Sequence, residues 1–199
     1  MTSNLTILRC ILPLFLISGT AVTTGADSTP PNIVLILSDD QSYTDYGFMQ
    51  HPEIETPHLD QLAQQSALFR RGYVPTALCR PALMTLVTGL YSHQNRTTGN
   101  NPANTSANKA HANNSGKDIR ELLISHIDKA GTLPAWLAKQ GYVSHQSGKW
   151  WEGSFERGGF TEGMTQGFPK PGGRHGDAGL KIGRDGMEPV FNFIDRSVA

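Results

Sequence analysis

The sequence predicts an α/β fold, and three observations carry that expectation. A continuously apolar, β-branched run, Ile33–Leu37 in "PPNIVLILSDD", suits a strand buried on both faces of a parallel sheet. Two stretches of helical apolar spacing follow it, in "TPHLDQLAQQSALF" and "CRPALMTLVTGL". A short second strand, from Tyr142, then comes directly after a capped helix, so strands and helices alternate along the chain.

Each element has a local reason. Thr56 stands where a cap belongs, Pro57 fits a first turn, and Leu59, Leu62, Ala63 and Leu68 (with Phe69) make an apolar stripe. Pro81 opens the next helix, with Leu83, Leu86, Val87 and Leu90 along one face and Gly89 near its end. From Asn95 to Lys117 the composition turns to Asn, Thr, Ser, Ala and Gly, which predicts an exposed loop. Its sequons at Asn95, Asn104 and Asn113 would carry glycans only in a eukaryotic secretory route. "TLPAWLAKQGYVSHQSGKWW" predicts a helix capped by Thr132, stopped at Gly141 and followed by the strand. Frequent glycine from Gly153 to Gly186 argues against regular structure there, and "MEPVFNFIDRSVA" starts a last helix.

The amino terminus reads as an export signal. Arg9 supplies the charge, "CILPLFLISG" the apolar run, and "TTGAD" the small residues for cleavage near Ala26. That run is shorter than the roughly 20 residues a bilayer span takes. Residues 1–26 are therefore expected to leave, with 27–199 as one domain in an exported, periplasmic or extracellular protein without stable membrane insertion. Lys plus Arg number 17 and Asp plus Glu 17. That balance excludes a nucleic-acid binder, which needs clustered excess cations. Of two cysteines, Cys10 would depart with the signal, leaving Cys79 alone and ruling out a disulfide framework in the mature chain.

Three constellations are candidates for chemistry, each with a plainer alternative. Asp39-Asp40 ends the predicted first strand, where sites collect in open sheets. Two adjacent carboxylates suit a hard divalent cation, or simply a solvated turn. Cys79 precedes Pro81, at or just before a helix N-cap, where unpaired N–H groups and the helix dipole favour negative charge. A cysteine filling a helix corner is the alternative. Lys149 follows Gly148 just past the second strand, placed either to meet an anionic substrate or to lie on the surface beside two core tryptophans. The seven histidines show no metal-ligand spacing.

Taken together, "PNIVLILSDD", "TPHLDQLA", "CRPALMTLVTGLYSHQ" and "GYVSHQSGKWW", in this order and rough spacing, resemble the sulfatase family of the alkaline-phosphatase-like superfamily. The resemblance spans roughly Asn32 to Gly153 and is weaker beyond. It implies an alkaline-phosphatase-like fold, with a central mostly parallel sheet flanked by helices, and a maturation enzyme that oxidises Cys79 to formylglycine. In such enzymes one hydroxyl of the hydrated aldehyde attacks sulfur, and the second later expels sulfate. The resemblance assigns Asp39, Asp40 and the modified Cys79 to calcium, and Lys149 to a sulfate oxygen. It implies a sulfated small molecule or polysaccharide as substrate.

The chain departs from the family pattern at two places. The signature reads Cys79-Arg80-Pro81-Ala82-Leu83, with leucine where arginine is usual, and Trp151 replaces the histidine of the common Gly-Lys-Trp-His-Leu-Gly. Sulfatases are also typically more than twice this length, and a second Asp-Asn metal pair, a further lysine and a further histidine fall in their later half. The reading is therefore of the N-terminal part of a sulfatase, apparently truncated and expected to be inactive and poorly stable on its own. The competing expectations are a phosphoester or phosphonate hydrolase of the same superfamily and a noncatalytic binding protein.

Overall fold

A computed structural model of the chain describes residues 30–101, 106–115, 118–166 and 186–198. It separates into two units, Met1–Ser38 and Asp39–Ala199. The expected export signal and the sequon at Asn104 lie outside the described residues.

The described part of the first unit corrects one expectation. Ile33–Leu37 forms no strand, and its side chains stand between 53% and 82% exposed. A strand buried on both faces needs a ladder partner at each edge. Among the described residues, the one ladder joins two short segments elsewhere.

The second unit holds the helices. A 3-10 turn at Gly47–Met49 precedes α1 (Pro57–Gln65), which ends before Leu68 and buries none of its residues. Pro57 opens it as expected, but Thr56 does not cap its amides. The hydroxyl instead accepts from the Gly47 N–H at 2.9 Å and donates to Asp60 Oδ1 at 2.8 Å. Asp60 also accepts from the Phe48 N–H, so the 3-10 turn is held against α1 by polar rather than apolar contacts.

Next comes α2 (Cys79–Thr88), closed by Gly89 in the left-handed conformation with φ +68°, which glycine adopts without a Cβ clash. Its buried face is Arg80, Pro81, Met84 and Val87. That differs from the predicted face: Leu86 is exposed and Leu83 only half-buried. The difference turns on Arg80, whose burial is tolerable only with a charge partner, and Glu152 supplies one from 72 residues away.

The expected loop from Asn95 is partly helical. α3 (Ser92–Asn95) follows α2, and α4 (Ser106–Ser115) packs on α5 (Ile119–Ile124). Ala107 and Ala110 are strong helix formers, which a reading of the stretch as a polar tract overlooks. The Asn95 sequon is not a surface feature. Asn95 and Thr97 are 4% and 2% exposed, and the Asn95 amide donates to the Leu90 carbonyl and accepts from the Thr97 N–H, both at 2.9 Å.

α6 (Leu133–Ala138) starts as expected, its cap Thr132 accepting from the Ala135 N–H at 3.4 Å. Gly141, with φ +85°, turns the chain toward β1 (His145–Gln146), which pairs in parallel with β2 (Glu162–Gly163). The register sets His145 opposite Glu162 and Gln146 opposite Gly163. A 3-10 turn at Phe155–Gly158 connects them. Some regular structure thus lies in the glycine-rich stretch, whose residues 167–185 are outside the described set. α7 (Glu188–Val198) matches the predicted last helix.

The core gathers Met84 and Val87 of α2, Ile127 and Trp150, with Phe160 packed against it. Trp150 and Phe160 meet edge to face, centroids 5.6 Å apart, and the indole N–H donates to the Ser154 carbonyl. The turn that follows is equally tight. Gly159 holds φ +82°, and a Cβ there would lie 2.8 Å from the Ala135 methyl and 2.9 Å from Thr132 Oγ1. Gly159→Ala is expected to destabilise by about 2 kcal/mol, from the strained backbone plus overpacking. Urea unfolding checks this, and an unchanged midpoint would count against the packing described.

Two histidines are held below their ordinary pKa of 6.5. Burial is the main cause at His126, with Arg96, Arg80 and Lys129 adding to it. Burial dominates at His145 too, opposed by Glu162 and aided by Arg196. The His145 ring packs on Phe193 of α7, and neither ring nitrogen is hydrogen-bonded. A depressed folded-state pKa stabilises the fold above about pH 6.5, and that stability is lost as pH falls through the lowered values. Stability toward urea is therefore expected to drop between about pH 7.5 and about pH 5.5. A flat or rising profile there would contradict it.

Candidate active site

Two glycine-like turns and one helix end build the site. In extended backbone, neighbouring side chains point to opposite faces, so two consecutive aspartates would diverge. Asp40 takes φ +51°, a left-handed conformation that Asp tolerates better than most residues. One oxygen from each of Asp39 and Asp40 and the Cys79 sulfur then lie within 4.8 Å of one another. The Cys79 thiol, half-buried, donates to Asp39 Oδ1 at 3.6 Å.

Lys149 arrives from the other side. Gly148, with φ +82°, turns the chain out of β1, and its carbonyl accepts from the Gln146 side-chain amide at 3.1 Å and the Thr165 hydroxyl at 3.5 Å. Thr165 is fully buried and its N–H also donates to Gln146 Oε1, so the turn is braced from β1 and from beyond β2. The Lys149 ammonium ion-pairs with Asp39 Oδ2 and donates to Cys79 Sγ at 3.9 Å. Its pKa is raised above 10.5, chiefly by the hydrogen bond to Asp39, against a smaller effect of burial. The Trp151 ring lies 5.6 Å from the ammonium, a cation–π arrangement at the position where the family's histidine is usual.

All four residues singled out from the sequence therefore meet: Asp39, Asp40, Cys79 and Lys149. One detail differs. Cys79 is the first residue of α2, with Leu78 as the cap residue, and few free amides surround it. The Arg80 N–H donates to Asn100 Oδ1 at 2.9 Å, Pro81 has none, and the Ala82 N–H donates to the Leu78 carbonyl. The positive end of the helix dipole remains beside the thiol, but charge there is met mainly by Lys149.

Sequence reasoning missed the residues behind the site. Arg80 and Glu152, both 2% exposed, form a bidentate pair, Nε to Oε1 at 2.5 Å and Nη2 to Oε2 at 2.8 Å. Arg80 Nη2 also donates to the Leu123 carbonyl of α5. Leu83 lines the same crevice with Met84, Trp150 and Trp151. Arg80 is thus committed to Glu152 and Leu123 and does not take over the place of the arginine that Leu83 replaces. The signals were present, since both charges flank the motifs, but their pairing across 72 residues has no local trace.

The donor set suits a hard cation at two carboxylates, and an oxygen rather than sulfur at position 79 would complete a three-oxygen face. An α/β protein with such a cluster is defined by its relatives as well. The sulfatase family model matches residues 31–179. The chain is 37% identical to human N-acetylgalactosamine-6-sulfatase over 61% of its own length and 22% of that enzyme. It is 34% identical to human arylsulfatase A over 79% of itself and 27% of that protein. Against N-acetylgalactosamine-6-O-sulfatase of Bacteroides thetaiotaomicron the identity is 30%, over 68% and 23%. The chain belongs to the sulfatase family. It spans about a quarter of the length of the curated relatives it matches. No helix among the described residues is long and apolar enough to cross a membrane.

Proposed function

We propose that the protein acts, with the full complement of its family's residues, as a sulfuric ester hydrolase of alkaline-phosphatase-like fold. Its substrate is a sulfated carbohydrate outside the cytoplasm, reached through an export signal at residues 1–26 that leaves 27–199 as part of the catalytic domain. The observation that carries this reading is the convergence of Asp39, Asp40, Cys79 and Lys149 on one cluster. Two of the named relatives act on N-acetylgalactosamine 6-sulfate groups by their names, which supports a carbohydrate substrate.

The roles follow from charge and chemistry. Asp39 and Asp40 would hold calcium through hard carboxylate oxygens, together with the oxygen that maturation would install at Cys79. When bound there, calcium would supply Lewis-acid stabilisation of negative charge on the sulfate group. A formylglycine derived from Cys79 by a maturation enzyme supplies the nucleophilic oxygen. Lys149 binds a sulfate oxygen as a point charge. Trp151 offers the ammonium a ring face, and its indole N–H is a donor that does not act as an acid near neutral pH, so leaving-group protonation falls to a group other than residue 151.

The test is direct. In full-length protein co-produced with its maturation enzyme, the Cys79 peptide is expected to carry an aldehyde by mass analysis, and aryl sulfate to be cleaved well ahead of aryl phosphate. Faster phosphate release would favour a phosphoester hydrolase. An unmodified thiol with no turnover would favour a noncatalytic binding protein, the reading that Leu83 and Trp151 support.

A further inference from the structure

One buried polar group has no part in the roles above: the Arg80–Glu152 pair. Its position in the chain is informative. Arg80 directly follows Cys79, and Glu152 comes three residues after Lys149. Two segments that carry reacting groups are therefore joined through their neighbours, out of contact with solvent. A buried pair of this kind is a poor device for stability alone, because apolar side chains of similar volume usually do as well. Its bidentate fork, however, fixes both distance and direction, which an apolar contact does not.

The surroundings tighten the geometry further. Arg80 is held at three points: Glu152 by the Nε–Nη2 edge of the guanidinium, the Leu123 carbonyl of α5 by Nη2, and Asn100 by its backbone N–H. Asn100 is itself held by Arg120, whose Nη1 donates to its carbonyl at 2.9 Å. On the far side, Lys149 leaves the braced Gly148 turn and Trp150 is locked in the core. The start of α2 and the Lys149 segment thus each rest on a rigid base, and the Arg80–Glu152 fork adds a directional polar link between them to the apolar packing of Met84 and Trp150 in the core. Leu83, lining the same crevice, provides no polar link of its own.

We propose that Arg80 and Glu152 are positioning residues that set the approach of Cys79 to Lys149. The proposal rests on the roles given to those two residues above, and its test separates the two ideas. The main variant is Arg80→Met/Glu152→Leu, which removes both charges together and avoids stranding either one in the interior.

The first readout needs neither maturation nor turnover. Full-length protein made without the maturation enzyme keeps the Cys79 thiol, and a short amine–thiol cross-linker then reports its proximity to Lys149 by peptide mapping. The double variant is expected to retain its cooperative unfolding transition while the Cys79–Lys149 cross-link falls at least about fivefold. In matured protein kcat on aryl sulfate is expected to fall about 10- to 100-fold with KM changed less than about threefold, as for a misplaced reacting group. Should the double variant not fold, Arg80→Lys keeps the charge but loses the fork, and a smaller loss of cross-link in the same direction is expected. A folded variant with wild-type cross-linking and wild-type kcat would overturn the proposal, leaving the pair a stabilising contact only. If wild-type protein cross-links in the expected way but never turns over sulfate ester, the sulfatase reading fails and the positioning role stands.

Discussion

Cys79→Ala is expected to lower sulfate release by the matured full-length protein at least about 10⁴-fold, on the scale seen when a covalent nucleophile is removed. The expectation follows from the site's composition. In the proposed roles Asp39 and Asp40 are committed to the cation, Lys149 holds charge without offering a nucleophile at neutral pH, and Cys79 is left to supply the attacking atom. Cys79→Ser tests the same point more finely, because it restores a hydroxyl of similar size without a carbonyl to regenerate. It should remain as inactive in steady state as the alanine variant, since a sulfated serine has no second hydroxyl to expel sulfate. Recovery of sustained turnover in Cys79→Ser, measured by continuous aryl sulfate hydrolysis, would show that an aldehyde is not needed.

The second large effect concerns stability. Glu152→Ala strands the Arg80 guanidinium at 2% exposure, still bonded to the main-chain carbonyl of Leu123 but without its counterion. Breaking one half of a buried pair costs about 3–5 kcal/mol, because the desolvated charge loses its counterion while remaining buried. Whole domains are stable by only about 5–15 kcal/mol, so this one change takes a large share. The measurement is the urea midpoint of Glu152→Ala beside that of the double apolar variant, which should be markedly more stable than the single one. Equal midpoints for the two would mean that charge burial is not what Glu152 relieves. Partly exposed pairs make a useful contrast. Arg157 bridges Glu121 and Asp128, and its pKa is raised mainly by its hydrogen bonds to them, yet water screens all three and its removal should cost far less.

What the sequence made legible was local. Pro81 and Gly89 bracket α2, Thr132 caps α6, and Gly141 ends that helical segment, because each depends on a backbone preference carried by one residue. The candidate site residues were picked out for a different reason: the ordered motifs resemble a family, and Asp39, Asp40, Cys79 and Lys149 lie together in the structure. Three features were not legible, each for a physical reason. The buried face of α2 includes Arg80, which any hydrophobic count places outside, because its partner Glu152 is remote in sequence. Ile33–Leu37 has strand composition, but a strand exists only with ladder partners, and the described residues provide none. The α4 stretch reads as a polar tract until its alanines are weighed against its asparagines.

The inward-facing Asn95 bears on how the protein can be produced. Oligosaccharide is attached to Asn-x-Thr acceptors while a secretory chain is still emerging, before side chains find their native neighbours. In a yeast or animal host a sugar tree added at Asn95 would have to fit where the amide now bonds Leu90 and Thr97. Secretion from such cells is expected to yield misfolded, retained material, and a bacterial host, which leaves the acceptor bare, is expected to yield folded protein.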